Sequence, residues 1–146
     1  AIETINNNQP LVIANADQYL DIDFDNVLKD FESADAGVLT FKSVHPRWSY
    51  IKLDDENNIV ETAEKKPLSN NAIAGFYYFK KGCYFVEGAM EMIKKDASLN
   101  GDFYVSPVLN ELVLKNRKLI EHQIAEARFH TFYTPQKIEE YERVLK

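Results

Sequence analysis

Ala72-Ile73-Ala74-Gly75-Phe76-Tyr77-Tyr78-Phe79 contains no charged residue at any position. A run that is apolar at odd and even positions alike does not fit a strand with one wet face, so it predicts a central strand covered on both sides. Upstream lies a polar loop, Lys65-Lys66-Pro67-Leu68-Ser69-Asn70-Asn71. Downstream, Phe85, Ala89, Met92 and Ile93 form a helical stripe fit to pack on a sheet.

The same alternation of strand and helix signals extends outward. Leu11-Val12-Ile13-Ala14 is short and wholly apolar, and is read as a second strand buried on both faces. Phe24, Val27, Leu28 and Phe31 recur at helical spacing, with Asp21, Asp23 and Asp25 as helix-start residues. Residues 36–44 are β-rich and stop at His45-Pro46-Arg47; Tyr50-Ile51-Lys52-Leu53 and Ile59-Val60-Glu61 flank a polar turn as a hairpin. Val105, Val108, Leu109, Leu112 and Val113 predict a helix with Ser106 as its cap and Pro107 at its first position. Residues 118–125 read as a strand, and Thr134-Pro135 opens a last helix striped by Ile138, Tyr141 and Leu145. Interleaved strands and helices predict an α/β fold, a mixed and mainly parallel sheet with flanking helices, in a single domain over residues 1–146.

Composition narrows the function. The chain of 146 residues carries 17 Lys and Arg against 23 Asp and Glu, and its net charge of −6 argues against nucleic acid or an anionic membrane as partner. No apolar run approaches the roughly 20 residues of a membrane span, and no signal peptide is read at the start. The single cysteine, Cys83, excludes an internal disulfide and any multi-cysteine metal site. The expectation is a soluble, cytoplasmic, acidic domain. Its five glycines are dispersed, so no phosphate-cradling loop of the P-loop or dinucleotide type is present.

Two places carry chemistry. Asp17 follows the Leu11–Ala14 strand, where α/β sheets gather ligands; its carboxylate suits Mg²⁺, or equally caps the next turn. Lys65 and Lys66 follow Glu64 and precede Pro67. Such a loop can neutralise a phosphate while its carboxylate accepts sugar hydroxyls, or can be a solvated charge cluster. The three histidines are too scattered for a metal site, and Cys83 reads as a small buried hydrophobe. Trp48 and the tyrosines read as core or pocket lining.

Taken in order, these pieces resemble the sugar-phosphate nucleotidyltransferases of the glucose-1-phosphate thymidylyltransferase kind, in their capsule- and lipopolysaccharide-associated branch. The similarity is most specific at Glu64-Lys65-Lys66-Pro67, then Ser69-Asn70, Ala72, Gly75 and Tyr77-Tyr78-Phe79. Ala14-Asn15-Ala16-Asp17-Gln18, Arg47-Trp48-Ser49-Tyr50, Gly101-Asp102-Phe103-Tyr104-Val105 and Thr134-Pro135 support it. The resemblance implies a partial nucleotidyltransferase (Rossmann-like) fold. It also implies Mg²⁺-dependent transfer of a nucleotidyl group from an NTP to a sugar 1-phosphate with release of pyrophosphate. Apolar edges such as Leu11 to Ala14, left under-protected in a partial fold, are expected to drive self-association into a homo-oligomer. Asp17 matches the metal-binding, catalytic aspartate, Lys66 the lysine on the sugar-linked phosphate, and Glu64 the sugar-hydroxyl acceptor. Ser49, Gly75 and Tyr77 match the sugar pocket, and Lys65 is left to solvent. The family's glycine-rich loop and its second metal aspartate have no counterpart, Thr131 lying closest to the latter. The chain is therefore expected to be the acceptor-substrate part of such an enzyme, inactive alone, or a non-catalytic binding or assembly module on the same fold.

Overall fold

The computed structural model describes residues 1–145. The chain runs α1 (Ile2–Ile5), β1 (Leu11–Ala14), β2 (Gln18–Leu20), α2 (Phe24–Phe31), β3 (Ala36–Lys42), β4 (Tyr50–Leu53), β5 (Ile59–Ala63) and β6 (Asn71–Phe79). It continues through α3 (Gly82–Lys94), α4 (Val108–Leu114), β7 (Leu119–Gln123), β8 (Phe129–Thr131) and α5 (Pro135–Val144).

Every residue of β6 is buried, as its lack of alternation requires. Its odd-numbered side chains Ile73, Tyr77 and Phe79 join Met92 of α3 and Leu109 and Leu112 of α4 in one core. Its even-numbered Ala72, Ala74, Phe76 and Tyr78 join Val27 and Phe31 of α2 in a second core on the other face. The main sheet runs β5-β4-β6-β3-β7, with β1 also on β6. Asp23 caps α2, accepting from the backbone N–H groups of Asp25 at 3.1 Å and Asn26 at 3.3 Å. Thr134 caps α5 through the N–H of Lys137 at 3.4 Å.

The mixed α/β class with flanking helices is the one expected, and four details differ. First, only β3 and β7 pair in parallel, while β1–β6, β3–β6, β4–β5 and β4–β6 are antiparallel, so the balance is not mainly parallel. The connections from β3 through the β4–β5 hairpin to β6 are short and reverse the chain, which gives antiparallel neighbours. Second, β1 is not buried on both faces: Val12 is 42% exposed, β1 being a short strand that pairs with β6 alone among the described residues. Third, the polar lead-in contains the short helix α1, and β2 and β8 form a separate two-stranded sheet that no periodicity announced. Fourth, Ser106 does not cap α4 with its side chain; its hydroxyl is used elsewhere.

β1 and β4 share one edge of β6. β4 pairs at Ala72 and β1 over Phe76 to Phe79. Between them the β3–β6 register slips, Val38 facing Tyr77 but Thr40 facing Ile73, so β6 bulges around Gly75. Gly75 has φ +58, where a side chain is strained, and its carbonyl accepts from the Asn15 N–H at 2.9 Å and the Gln18 amide at 3.1 Å. The parting of two strands at a glycine bulge opens a cavity.

Candidate functional site

That cavity, of about 370 Å³, has Ser49, Glu64, Gly75 and Tyr77 in its wall together with Asn15, Arg47, Trp48 and Tyr104. Glu64 stands just past β5 and accepts hydrogen bonds from two hydroxyls, Ser49 and, at 2.8 Å, Ser106. Ser106 is fully buried, and donation to a carboxylate satisfies its hydroxyl better than an exposed cap would. One carboxylate oxygen thus takes both serine donors, and the other accepts from no side chain among the described residues. Asn110 of α4 fixes the end of β5 beneath, accepting from the Thr62 N–H at 2.7 Å and donating to the Thr62 carbonyl at 3.0 Å.

Burial pushes the Tyr77 phenol far above the usual tyrosine range; the Glu64 negative charge adds to this, and a hydrogen bond with Ser49 partly opposes it. The folded state therefore holds this proton more tightly than the unfolded chain does. Stability from it is complete below the ordinary value of 10.0 and is lost as pH rises beyond it. Urea midpoints are expected to fall steeply above pH 10.0 in the native protein and less steeply in Tyr77→Phe. Burial raises Tyr78 and Tyr141 in the same direction, and both contribute to the remaining slope. Equal slopes in the two proteins would contradict the assignment.

The loop after Glu64 carries two exposed lysines. Lys65 has φ 53; its ammonium donates to the Tyr104 hydroxyl at 2.7 Å and lies 4.5 Å from that ring's centre. Lys66 is exposed and does not line the cavity.

Asp17 is exposed and also lies off the cavity wall. The β2–β8 pair places Gln18 opposite Thr131, and the Phe132 N–H donates to the Asp17 carbonyl at 2.8 Å. The segment that carries Thr131 therefore lies beside Asp17 in the fold. No cluster of three or more His, Cys, Asp or Glu side chains suited to a metal occurs among the described residues. Asp17 fits as one oxygen ligand of an ion completed by other groups, such as phosphates, and not as a metal site by itself.

Sequence reading missed Asn15, Arg47, Tyr104 and Ser106 as site residues. Only their places inside the supporting motifs, or beside them, offered a signal.

The nucleotidyl transferase family matches residues 1–128, and the chain belongs to that family. No curated protein is matched by its sequence. Among solved structures it is similar to a nucleoside-diphosphate-sugar pyrophosphorylase from Vibrio cholerae RC9, with TM-score 0.83 and 22% identity over 92% of this chain and 56% of that one. It is also similar to a protein assigned as a glucose-1-phosphate thymidylyltransferase from Bacillus anthracis, solved with sucrose, with TM-score 0.72 and 19% identity over 98% of this chain and 57% of that one. HddC from Yersinia pseudotuberculosis follows at TM-score 0.61 and 13% identity, covering 94% of this chain and 56% of its own. These are likenesses of fold, and the chain spans a little over half the length of each. No helix among the described residues is long and apolar enough to cross a membrane.

Proposed function

We propose that this chain is the acceptor-binding part of a sugar-phosphate nucleotidyltransferase, acting in the cytoplasm on a sugar 1-phosphate and an NTP toward cell-surface polysaccharide. The observation that carries the reading is the Glu64 carboxylate, held by Ser49 and Ser106 in the wall of a cavity at a glycine bulge. An anchored carboxylate with a free oxygen suits sugar hydroxyls, which donate to it. Ser49, Gly75 and Tyr77 shape the same cavity, and Lys66 adds positive charge on the neighbouring loop. Asp17 would give one ligand to Mg²⁺, whose role when bound is to neutralise phosphate charge. The outer edge of β1 is unpaired among the described residues and is the proposed route to a homo-oligomer.

Titration with glucose 1-phosphate, followed by NMR, tests this reading. Saturable binding is expected, weakened about ten- to a hundred-fold in Glu64→Gln, the loss expected for a charge-assisted hydrogen bond. Absence of saturable binding would overturn the proposal. The 146-residue chain is expected to release no pyrophosphate with Mg²⁺ and any NTP. The second reading, a binding module without turnover, is favoured by the threonine beside Asp17. Binding without turnover even in a longer form of the protein would support it.

A further inference from the structure

Among the described residues lining the Glu64 cavity, Glu64 is the only acidic side chain and Arg47 the only basic one. Among the described residues no carboxylate lies within ion-pair distance of Arg47. In a chain of net charge −6, an unpaired guanidinium on a cavity wall stands out. It is also held in place. Its central carbon lies 3.8 Å from the centre of the Tyr133 ring and 5.4 Å from that of Trp48. Trp48 is itself packed against Phe41 and Phe129, and the backbone N–H of Arg47 donates to the His45 ring nitrogen at 3.2 Å. The nearby cation Lys137 is engaged by Glu140 at 2.6 Å.

We propose that Arg47 is the phosphate anchor of this cavity, donating its fork of N–H groups to the phosphate of a sugar phosphate whose hydroxyls Glu64 reads. The proposal rests on the acceptor-site reading above. A planar guanidinium presents several donors and matches two phosphate oxygens at once, which a lysine ammonium does not. The alternatives on the Glu64 loop are less well placed: Lys65 is engaged with Tyr104, and Lys66 lies off the wall. Arg47 borders both this cavity and a second one of about 410 Å³ lined by Tyr133, Lys137 and Glu140. In the Glu64 cavity, one cation and one anion in the wall suit a ligand with a phosphate at one end and hydroxyls at the other.

The test compares glucose 1-phosphate and glucose, titrated by NMR at two salt concentrations, on the native chain, Arg47→Met and Arg47→Lys. Arg47→Met is expected to weaken glucose 1-phosphate about ten- to a hundred-fold, leave glucose unchanged and remove the salt dependence; Arg47→Lys recovers part of the loss. If the native chain binds glucose 1-phosphate and Arg47→Met binds it equally well, the anchor is not Arg47 and only this proposal falls. A loss confined to Lys66→Ala would overturn it in the same way. Equal losses for both ligands, with a lower unfolding midpoint, would make Arg47 a packing residue and also overturn it. Failure of the native chain to bind glucose 1-phosphate at all would remove the acceptor-site reading and this proposal together.

Discussion

Phe31→Ala is expected to lower the unfolding free energy by about 3–5 kcal/mol, as for other large buried aromatics. Against a typical total of about 5–15 kcal/mol, that leaves a marginal protein. Phe31 is fully buried, stacks on Tyr78 at 5.6 Å between ring centres and meets the His122 ring edge-on at 6.4 Å. It also lies directly over Gly37, where an added methyl would overlap its ring. This gives the prediction an internal check. Gly37→Ala alone should be destabilising, because the ring has to move. In the Phe31→Ala background the same methyl enters an empty space and should cost far less. Urea unfolding of the four proteins measures the coupling. Additive effects would mean that the ring does not sit on Gly37.

Gly75→Val is expected to abolish ligand binding and to destabilise the fold. At φ +58 any side chain is strained, by about 1–3 kcal/mol, and a β-branched one most. The added carbon also overlaps the side-chain amides of Asn15 and Gln18. Asn15 lines the cavity, so moving it reshapes the wall, and Gln18 loses its bond to the Gly75 carbonyl. Gly75→Ala separates the two causes: pairing it with Asn15→Ala relieves part of the overlap but none of the strain. Denaturation midpoints and glucose 1-phosphate titration together are the readout. Native-like binding in Gly75→Val would show that the bulge does not shape the cavity.

Much of this architecture is legible along the chain. The uncharged run in β6 required a buried strand, since a charged side chain there would lose its water without a partner. The stripe Phe24, Val27, Leu28 and Phe31 with Asp23 before it specified α2 and its cap. Asp54 shapes the hairpin turn as an Asx residue does, accepting from the N–H groups of Glu56 at 3.0 Å and Asn58 at 2.8 Å. Glu64, Ser49, Gly75 and Tyr77 follow from motif resemblance, and the fold gathers all four around one cavity.

Burial and local conformation are set by residues a few positions apart, so the sequence by itself determined the longer elements, the caps of α2 and α5 and most of the core. Strand direction, the parting of β1 from β4 and the pairing of β2 with β8 depend on segments far apart in the chain, and three-residue strands carry no period to read. The same holds for polar side chains, whose roles depend on what arrives beside them. Ser106 reads locally as a cap, but the fold brings Glu64 to its hydroxyl. Lys65 reads as a solvated neighbour of Lys66, but a left-handed backbone turns it onto Tyr104. Arg47 is marked in the sequence only by its place in the Arg47–Tyr50 stretch, and Tyr133 and Glu64 reach its surroundings only when the chain folds. Hydrophobic periodicity records which face is buried; which donors and acceptors converge there is decided by tertiary packing alone, because a hydrogen bond requires two groups to meet in space.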